Sequence, residues 1–212
     1  MGRVRRPFKR PSGKRDASLI VIATEGRKTE PQYFKGIKEK YRNKKIHIEI
    51  IEKDTNARSP KRVLEFLNEF KKKYLLEHDD ELWMVIDLDD WEDQNLSDCN
   101  SKCKQKGYYI AVSNPCFEIW LLLHIKDIDK YDKDEKLELL KNNKDGHQKR
   151  KIDREIINIL GEYNKSNIPV EKFITNNKIE IAIEHAKQLD NPDEDWPNSL
   201  GTKVFLLIEK LT

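Results

Sequence analysis

The chain has 212 residues, of which 37% are charged and 37% hydrophobic, and its length suffices for one substantial core or two small ones. No apolar run approaches the roughly 18 residues of a membrane span, and the basic N-terminus lacks the apolar segment of a secretory signal. We therefore expect a cytoplasmic protein without a membrane segment. Three cysteines without paired metal-binding spacing predict free thiols: Cys99, Cys103 and Cys116.

A basic arm, residues 1–16, precedes the rest of the chain. Its basic side chains are Arg3, Arg5, Arg6, Lys9, Arg10, Lys14 and Arg15, with no acid among residues 1–15. Removing these seven from the 41 basic residues leaves 34 against 38 acidic ones, so the body is mildly negative. This asymmetry indicates that the arm contacts nucleic acid phosphates, with a solubilising tail as the alternative.

Strand and helix patterns alternate through the first half of the chain. Four segments are predicted strands: residues 19–22, 46–51, 82–86 and 108–112. Thr29 is the predicted N-cap of the helix that follows the first strand. The order β-α-β-α-β-α-β predicts an α/β fold with a mostly parallel four-stranded sheet flanked by helices.

The second half of the chain is predicted to be mostly helical and to cover the sheet. Ser113-Asn114-Pro115 is the predicted cap of a buried, nearly all-apolar helix that ends at His124. The charged stretch 127–153 is predicted to be a loop or insertion. Further helices are expected at residues 153–163, 176–189 and 202–211. The chain thus divides into the arm (1–16), an α/β core (17–125), and a charged insertion with a helical C-terminal region packed on the core (126–212).

Acidic residues follow two of the predicted strands. Asp87, Asp89 and Asp90 come after strand 82–86, and Glu25 follows strand 19–22. Ligands of open α/β sheets bind beyond the carboxyl ends of the strands. Alternation along the strand points Asp87 and Asp89 the same way, and converging carboxylates favour a hard divalent cation that suits phosphate chemistry. The alternative is an acidic, solvated turn.

Glu118 is unusual because it lies near the start of an apolar helix. An unpaired buried carboxylate costs several kcal/mol, whereas the helix dipole contributes only about 0.3–1 kcal/mol. We therefore expect a cation or a set of hydrogen-bond donors to face it: a metal, a lysine such as Lys28, or His124. His124 is a further site candidate, although a lone buried histidine is usually a hydrogen-bonded core residue.

The order of these motifs resembles the Toprim catalytic core of topoisomerases, bacterial primases and OLD-family nucleases. In that core a Glu after the first strand and an Asp-x-Asp after the third hold divalent metal. A closer resemblance, to the RloB-like (AbiLii) family, spans nearly the whole chain. It rests on residues 24–34, 87–90 and 113–124 and on the last predicted helix. Members of that family look like small Toprim proteins encoded beside restriction or abortive-infection systems, often with an ATPase.

The resemblance implies a metal-dependent nuclease that is the effector of an antiphage system, with RNA such as tRNA favoured over DNA and an ATPase as the expected partner. It implies that Glu25, Asp87 and Asp89 are the catalytic ligands of Mg²⁺ or Mn²⁺. Further candidate ligands are Glu30, which the resemblance adds, and Asp90 and Glu118. Candidate phosphate contacts are Lys28, Lys149, Arg150 and Lys151. The alternative is a non-catalytic, metal-containing binding or regulatory module that partners an ATPase.

Deleting residues 1–15 is expected to flatten the salt dependence of nucleic acid binding. Each phosphate that the arm neutralises contributes a slope of roughly −0.7 to −0.9 in log affinity against log salt. Titrations of labelled RNA at several salt concentrations measure this slope. An unchanged slope would mean that the arm is only a tail.

Overall fold

The computed structural model describes residues 5–9, 17–42, 45–51, 59–88, 93–144, 146 and 148–212. Its strands are β1 Arg6–Pro7, β2 Ser18–Thr24, β3 Ile46–Ile50, β4 Tyr74–Leu75, β5 Glu81–Asp87, β6 Tyr109–Asn114 and β7 Gly201–Thr202. Its helices are α1 Thr29–Lys40, α2 Pro60–Lys73, α3 Asp93–Lys106, α4 Glu118–Leu123, α5 Lys133–Lys141, α6 Lys151–Leu160, α7 Val170–Phe173, α8 Asn176–Leu189 and α9 Val204–Leu211.

The main sheet has the strand order β3-β2-β5-β6-β7, which places β5 at its centre. The first four of these strands are parallel, and β7 pairs antiparallel with β6. Thr24 is opposite Val85 and Asp87 is opposite Ser113, so β2, β5 and β6 end at the same edge. The predicted α/β class with a mostly parallel sheet is confirmed, and β7 is a fifth strand beyond the four predicted.

Helices cover both faces of the sheet, which explains why its central strand is apolar without interruption. In β5, Trp83 and Val85 face the core that α1, α4 and the C-terminal helices complete. Met84 and Ile86 face a second core with α2 and α3. Successive side chains of a strand point to opposite faces, so a strand covered on both sides needs apolar residues at every position.

The C-terminal region belongs to the same packed unit as the sheet. β7 extends the sheet, α9 packs on β6, and α4 contacts α6 and α8. Every residue of α4 is buried, as predicted for this apolar helix.

The structure corrects one local helix prediction here and refines another. Thr29 is the first residue of α1 and not its N-cap, and its hydroxyl donates to the Lys165 carbonyl oxygen at 3.3 Å. The charged stretch 127–153 is not all loop, because α5 forms within it. Asp132 and Glu135 form a capping box at the start of α5.

Part of the basic arm is anchored to the body. β1 pairs in parallel with β4, and the Phe8 ring packs on Phe70 and Tyr74 with centroid distances of 5.5 and 5.1 Å. The Arg6 guanidinium lies over the Tyr74 ring at 5.3 Å. Four of the seven basic residues of the arm lie outside the described residues: Arg3, Arg10, Lys14 and Arg15.

Two expectations from composition can be compared with the structure. The three cysteines are free, as predicted, and all three are buried. Among the helices of the described residues, none has the length and apolar character that crossing a bilayer requires.

His124 is a hydrogen-bonded residue of the core. Its Nδ1 lies 2.8 Å from the Trp120 carbonyl oxygen, which only accepts, so Nδ1 carries the proton. Its Nε2 then accepts from the Tyr33 hydroxyl at 3.1 Å. Burial lowers the pKa of His124 to about 3. The imidazole is therefore neutral at physiological pH and engaged at both nitrogens.

Stability is expected to fall with decreasing pH because of His124. Below an unfolded-state pKa of about 6.5, the unfolded chain binds a proton that the folded protein takes up only near its pKa of about 3. Between pH 7.5 and pH 5.0 this difference costs about 2 kcal/mol. Urea unfolding should show the wild type losing about that much more than His124→Gln, which keeps polarity without titrating. Parallel losses in the two proteins would contradict the assignment.

Candidate functional site

A cleft of about 570 Å³ opens at the carboxyl edge of the sheet. It lies between the ends of β2 and β5 and the start of α4. Its lining contains four acids and four cations: Glu25, Glu30, Asp87 and Glu118, with Arg27, Lys28, Arg150 and Lys165. Four of the predicted acids are thus brought together. The predicted acids Asp89 and Asp90 lie outside the described residues.

Glu25 and Asp87 meet at the ends of neighbouring strands. The Glu25 N–H donates to the Val85 carbonyl oxygen at 2.8 Å, which continues the β2–β5 pairing one residue beyond β2. The Glu25 carboxylate in turn accepts the Asp87 backbone N–H at 3.3 Å. Glu25 is 8% exposed, so its side chain is largely enclosed, whereas Asp87 is partly buried.

The Asp87 carboxylate also holds the start of α4. Its Oδ1 accepts the Phe117 N–H at 2.8 Å. The predicted cap by Ser113-Asn114-Pro115 is wrong, because Asn114 ends β6 and its side chain donates to the Pro197 carbonyl oxygen at 2.9 Å. Asp87→Ala would therefore remove a helix-start hydrogen bond as well as a charge.

Glu30 holds the loop that carries Glu25. The Gly26 N–H donates to Glu30 Oε1 at 2.6 Å, and the Thr24 hydroxyl donates to the Gly26 carbonyl oxygen at 2.8 Å. A side chain at position 26 would collide with the Glu30 carboxylate and displace it, so glycine is what permits this close approach. Glu30 thus lines the cleft with one oxygen already engaged by the backbone.

The buried Glu118 carboxylate faces a lysine, as its burial requires, but the lysine is Lys165. A lysine is among the partners predicted above, so the kind of partner is confirmed, although the residue is neither Lys28 nor His124. Lys165 Nζ lies 3.1 Å from Glu118 Oε1 and 3.3 Å from Asp153 Oδ1. The Tyr163 hydroxyl donates to Glu118 Oε1 at 3.4 Å.

Burial and neighbouring charges shift the pKa values of Lys165, Asp153 and Cys116. Burial alone would lower the pKa of Lys165, but Glu118 and Asp153 raise it above its ordinary value, so the ammonium stays charged. Burial raises the pKa of Asp153. Burial, with Glu118 and Asp87, raises the pKa of the Cys116 thiol well above its ordinary value. Cys116 is therefore a neutral thiol and not a nucleophile.

Residues 163–168, here called the cleft loop, bring Lys165 and Ser166 to α1. Lys28 Nζ donates to Ser166 Oγ at 2.9 Å. Gln32 bridges the loop, since its Nε2 donates to the Lys165 carbonyl oxygen at 3.4 Å and its Oε1 accepts the Ile168 N–H at 3.2 Å. The sequence interpretation missed both loop residues, because no pattern near position 165 marks a contact with Glu118.

The predicted phosphate contacts are placed differently from one another. Lys28 and Arg150 line the cleft. Lys151 bridges Glu138 and Glu155 at 3.1 and 3.4 Å. Lys149 is exposed and is not part of the cleft lining.

The acids of the cleft can be compared with what a metal needs. Carboxylate oxygens are the ligands that Mg²⁺ and Mn²⁺ prefer. Within the described ranges, no group of three or more His, Cys, Asp or Glu residues could hold a metal ion. Glu25 and Asp87 fit as two members of a ligand set whose third predicted member, Asp89, falls in the gap after Leu88.

The extent of the match to known proteins decides the family. The family model for RloB-like proteins matches residues 20–211, which include every residue that lines the cleft. The chain belongs to the RloB-like family. No curated protein and no solved structure matches it. In this RloB-like protein the match runs from β2 to the end of α9, so the cleft loop lies inside the family region together with the two acids.

Lys165→Met is expected to destabilise the RloB-like protein by about 2 kcal/mol at neutral pH. It leaves two buried carboxylates without their cation, and the partial exposure of Lys165 moderates the penalty of a fully buried pair. Adding Glu118→Gln should recover part of the loss, which urea unfolding measures. Lys104→Met is the control, because its partner Asp195 and Lys104 itself are about half exposed. An equal loss in Lys104→Met would contradict the assignment.

Proposed function

We propose that this RloB-like protein is a metal-dependent nuclease that hydrolyses phosphodiester bonds, with RNA such as tRNA as the favoured substrate. Mg²⁺ or Mn²⁺ is the proposed cofactor. Its proposed biological role is that of an effector in an antiphage abortive-infection or restriction-associated system, with an ATPase encoded alongside as its partner. The proposed site of action is the cytoplasm.

The observation that carries the proposal is the meeting of Glu25 and Asp87 inside a cleft that also holds cations. Two acids on adjacent parallel strands supply oxygen ligands at the edge where ligands of α/β sheets bind. Lys28 and Arg150 line the same cleft and suit the negative charge of a phosphodiester. The Toprim resemblance of the motif order supports the same chemistry.

Each residue has a role that follows from its surroundings. Glu25 and Asp87, with Asp89, would hold the metal ion, which when bound polarises the scissile phosphate and activates the attacking water. Lys28 and Arg150 would orient the phosphate. The Lys165 ammonium would neutralise the charge of Glu118. Because its pKa is raised, Lys165 stays protonated at neutral pH and would not act as a proton donor or acceptor.

The alternative is a non-catalytic module that binds metal and nucleic acid for an ATPase. One observation favours this alternative: Glu30, Asp87 and Glu118 all accept hydrogen bonds from protein donors within the cleft. Carboxylate oxygens that are already hydrogen-bonded are less available to a catalytic metal ion. The two functions differ in one property. A nuclease loses turnover when its metal ligands lose charge, whereas a binding module has no turnover to lose.

Asp87→Asn and Glu25→Gln are each expected to lower cleavage of labelled tRNA by about a hundredfold or more, because metal stabilisation of the transition state is worth several kcal/mol. The amide of Asp87→Asn keeps an acceptor for the Phe117 N–H, so the fold should survive. Cleavage assays with Mg²⁺, Mn²⁺ or chelator, on RNA and on single-stranded and duplex DNA, measure the effect.

Asp134→Asn provides a control with the same change in charge, at an exposed position on α5. It should cleave at the wild-type rate. Cleavage that survives chelator or Asp87→Asn would overturn the metal mechanism. Metal-dependent binding without cleavage of any substrate would favour the binding module.

A further inference from the structure

A second groove, of about 710 Å³, lies beside the end of β3, the outermost strand of the sheet. Its lining includes Lys38 of α1, Arg62, Phe66, Phe70 and Lys73 of α2, and Tyr74 of β4. Arg62 and Lys73 are eleven residues apart on α2, which corresponds to about 16 Å at 1.5 Å per residue of helix. The lining is therefore long enough to suit a chain-like ligand.

The groove is positively charged on a body that is mildly negative. Four cations and two acids line it. Acids hold two of the cations in place: Glu49 lies 3.8 Å from Lys38, and Arg62 lies 2.8 Å from Glu65 and 3.7 Å from Glu69. The surplus of cations suits an anionic ligand.

Aromatic rings alternate with these cations along α2 and into β4. Phe66, Phe70 and Tyr74 are all only partly buried. The Arg62 guanidinium lies over the Phe66 ring at 4.6 Å, and Lys73 Nζ lies over the Tyr74 ring at 5.2 Å. Sites for single-stranded nucleic acid combine these two elements, since cations follow the phosphates and rings stack on the bases.

The groove joins the basic arm at one end. Arg6 lies over the Tyr74 ring, and β1 pairs with β4. The other end of the groove lies at Ile51, whose N–H donates to the Ile22 carbonyl oxygen at 2.9 Å. Ile22 lies in β2, which runs parallel to β3, so this end of the groove lies at the carboxyl end of β3, the same end of the sheet at which the cleft opens.

We propose that this groove binds single-stranded nucleic acid. Its phosphates would lie on Lys38, Lys73 and Arg62, and its bases would stack on the rings of Phe66, Phe70 and Tyr74. The anchored arm extends the contact beyond Tyr74. The site does not depend on catalysis in the cleft, and a non-catalytic binding module would use it equally.

The test measures binding without cleavage. Full-length protein carrying Asp87→Asn, in chelator, is titrated against labelled single-stranded RNA of about 16 nucleotides, the upper end of known site sizes. Fluorescence anisotropy reports affinity as salt is varied. The groove variant carries Lys38→Gln and Lys73→Gln. Its control carries Lys126→Gln and Lys133→Gln, which remove two lysines outside the groove lining. Lys126 matches Lys73 in lying over a tyrosine ring.

The groove variant should bind about tenfold more weakly and lower the salt slope by roughly 1.4, whereas the control should bind like the parent. Phe66→Leu should lower affinity about fivefold or more through lost stacking, with little change in the slope. Duplex RNA, whose bases are already stacked, should bind more weakly than the single strand.

Equal losses in the groove and control variants, an unaffected Phe66→Leu, or equal affinity for duplex would each overturn the proposal. Circular dichroism of every variant confirms folding, and Phe66→Leu provides the test if the lysine variant unfolds. If the wild type cleaves nothing and the groove variants lose binding, the nuclease proposal is refuted and the groove proposal stands. If the wild type cleaves RNA and both groove variants bind like the parent, the groove proposal is refuted and the nuclease proposal stands.

Discussion

The two hydrogen bonds of Asp87 are the constraint on which the geometry of the cleft depends. Its N–H donates to the Glu25 carboxylate, and its own carboxylate accepts the Phe117 N–H. These bonds join β2, β5 and α4 where two strands end and a buried helix begins. Asp87, a ligand of the proposed metal ion, thus also sets the position of α4, and with it the position of Glu118. An alanine at position 87 would remove both the charge and the hydrogen bond to α4. An asparagine removes the charge but keeps an acceptor for the Phe117 N–H, so it is the more informative substitution.

The fold class was predictable because a strand buried on both faces leaves a continuous apolar run in the sequence. All four predicted strands are present, and α8 occupies the predicted residues 176–189. The elements that were missed lack such a run. β7 has two residues, and α5 is charged, with only Leu139 buried. The Asp132 and Glu135 capping box was a readable signal for α5 that hydrophobic periodicity does not register.

The acids of the site were predictable from topology, whereas their partners were not. Parallel strands end at a common edge, so Glu25 and Asp87 could be placed together without coordinates. The energetic argument for Glu118 correctly required a cation, but it could not identify Lys165. That contact depends on the path of the cleft loop. Hydrogen bonds to Gln32 and Thr29, more than a hundred residues away in the sequence, hold the loop on this path. Contacts of this kind leave no periodic trace in a sequence.

The distance along the chain between the two halves of the cleft has a consequence for its biosynthesis. At about 5–20 residues per second, the roughly 80 residues between Asp87 and Lys165 take several seconds to leave the ribosome. β7 and α9, which complete the packing on β6, follow later still. A nascent chain therefore presents the acids of β2 and β5 before the ammonium that neutralises Glu118 has been translated. For the proposed nuclease, the site would therefore stay incomplete until the cleft loop, β7 and α9 have all been translated.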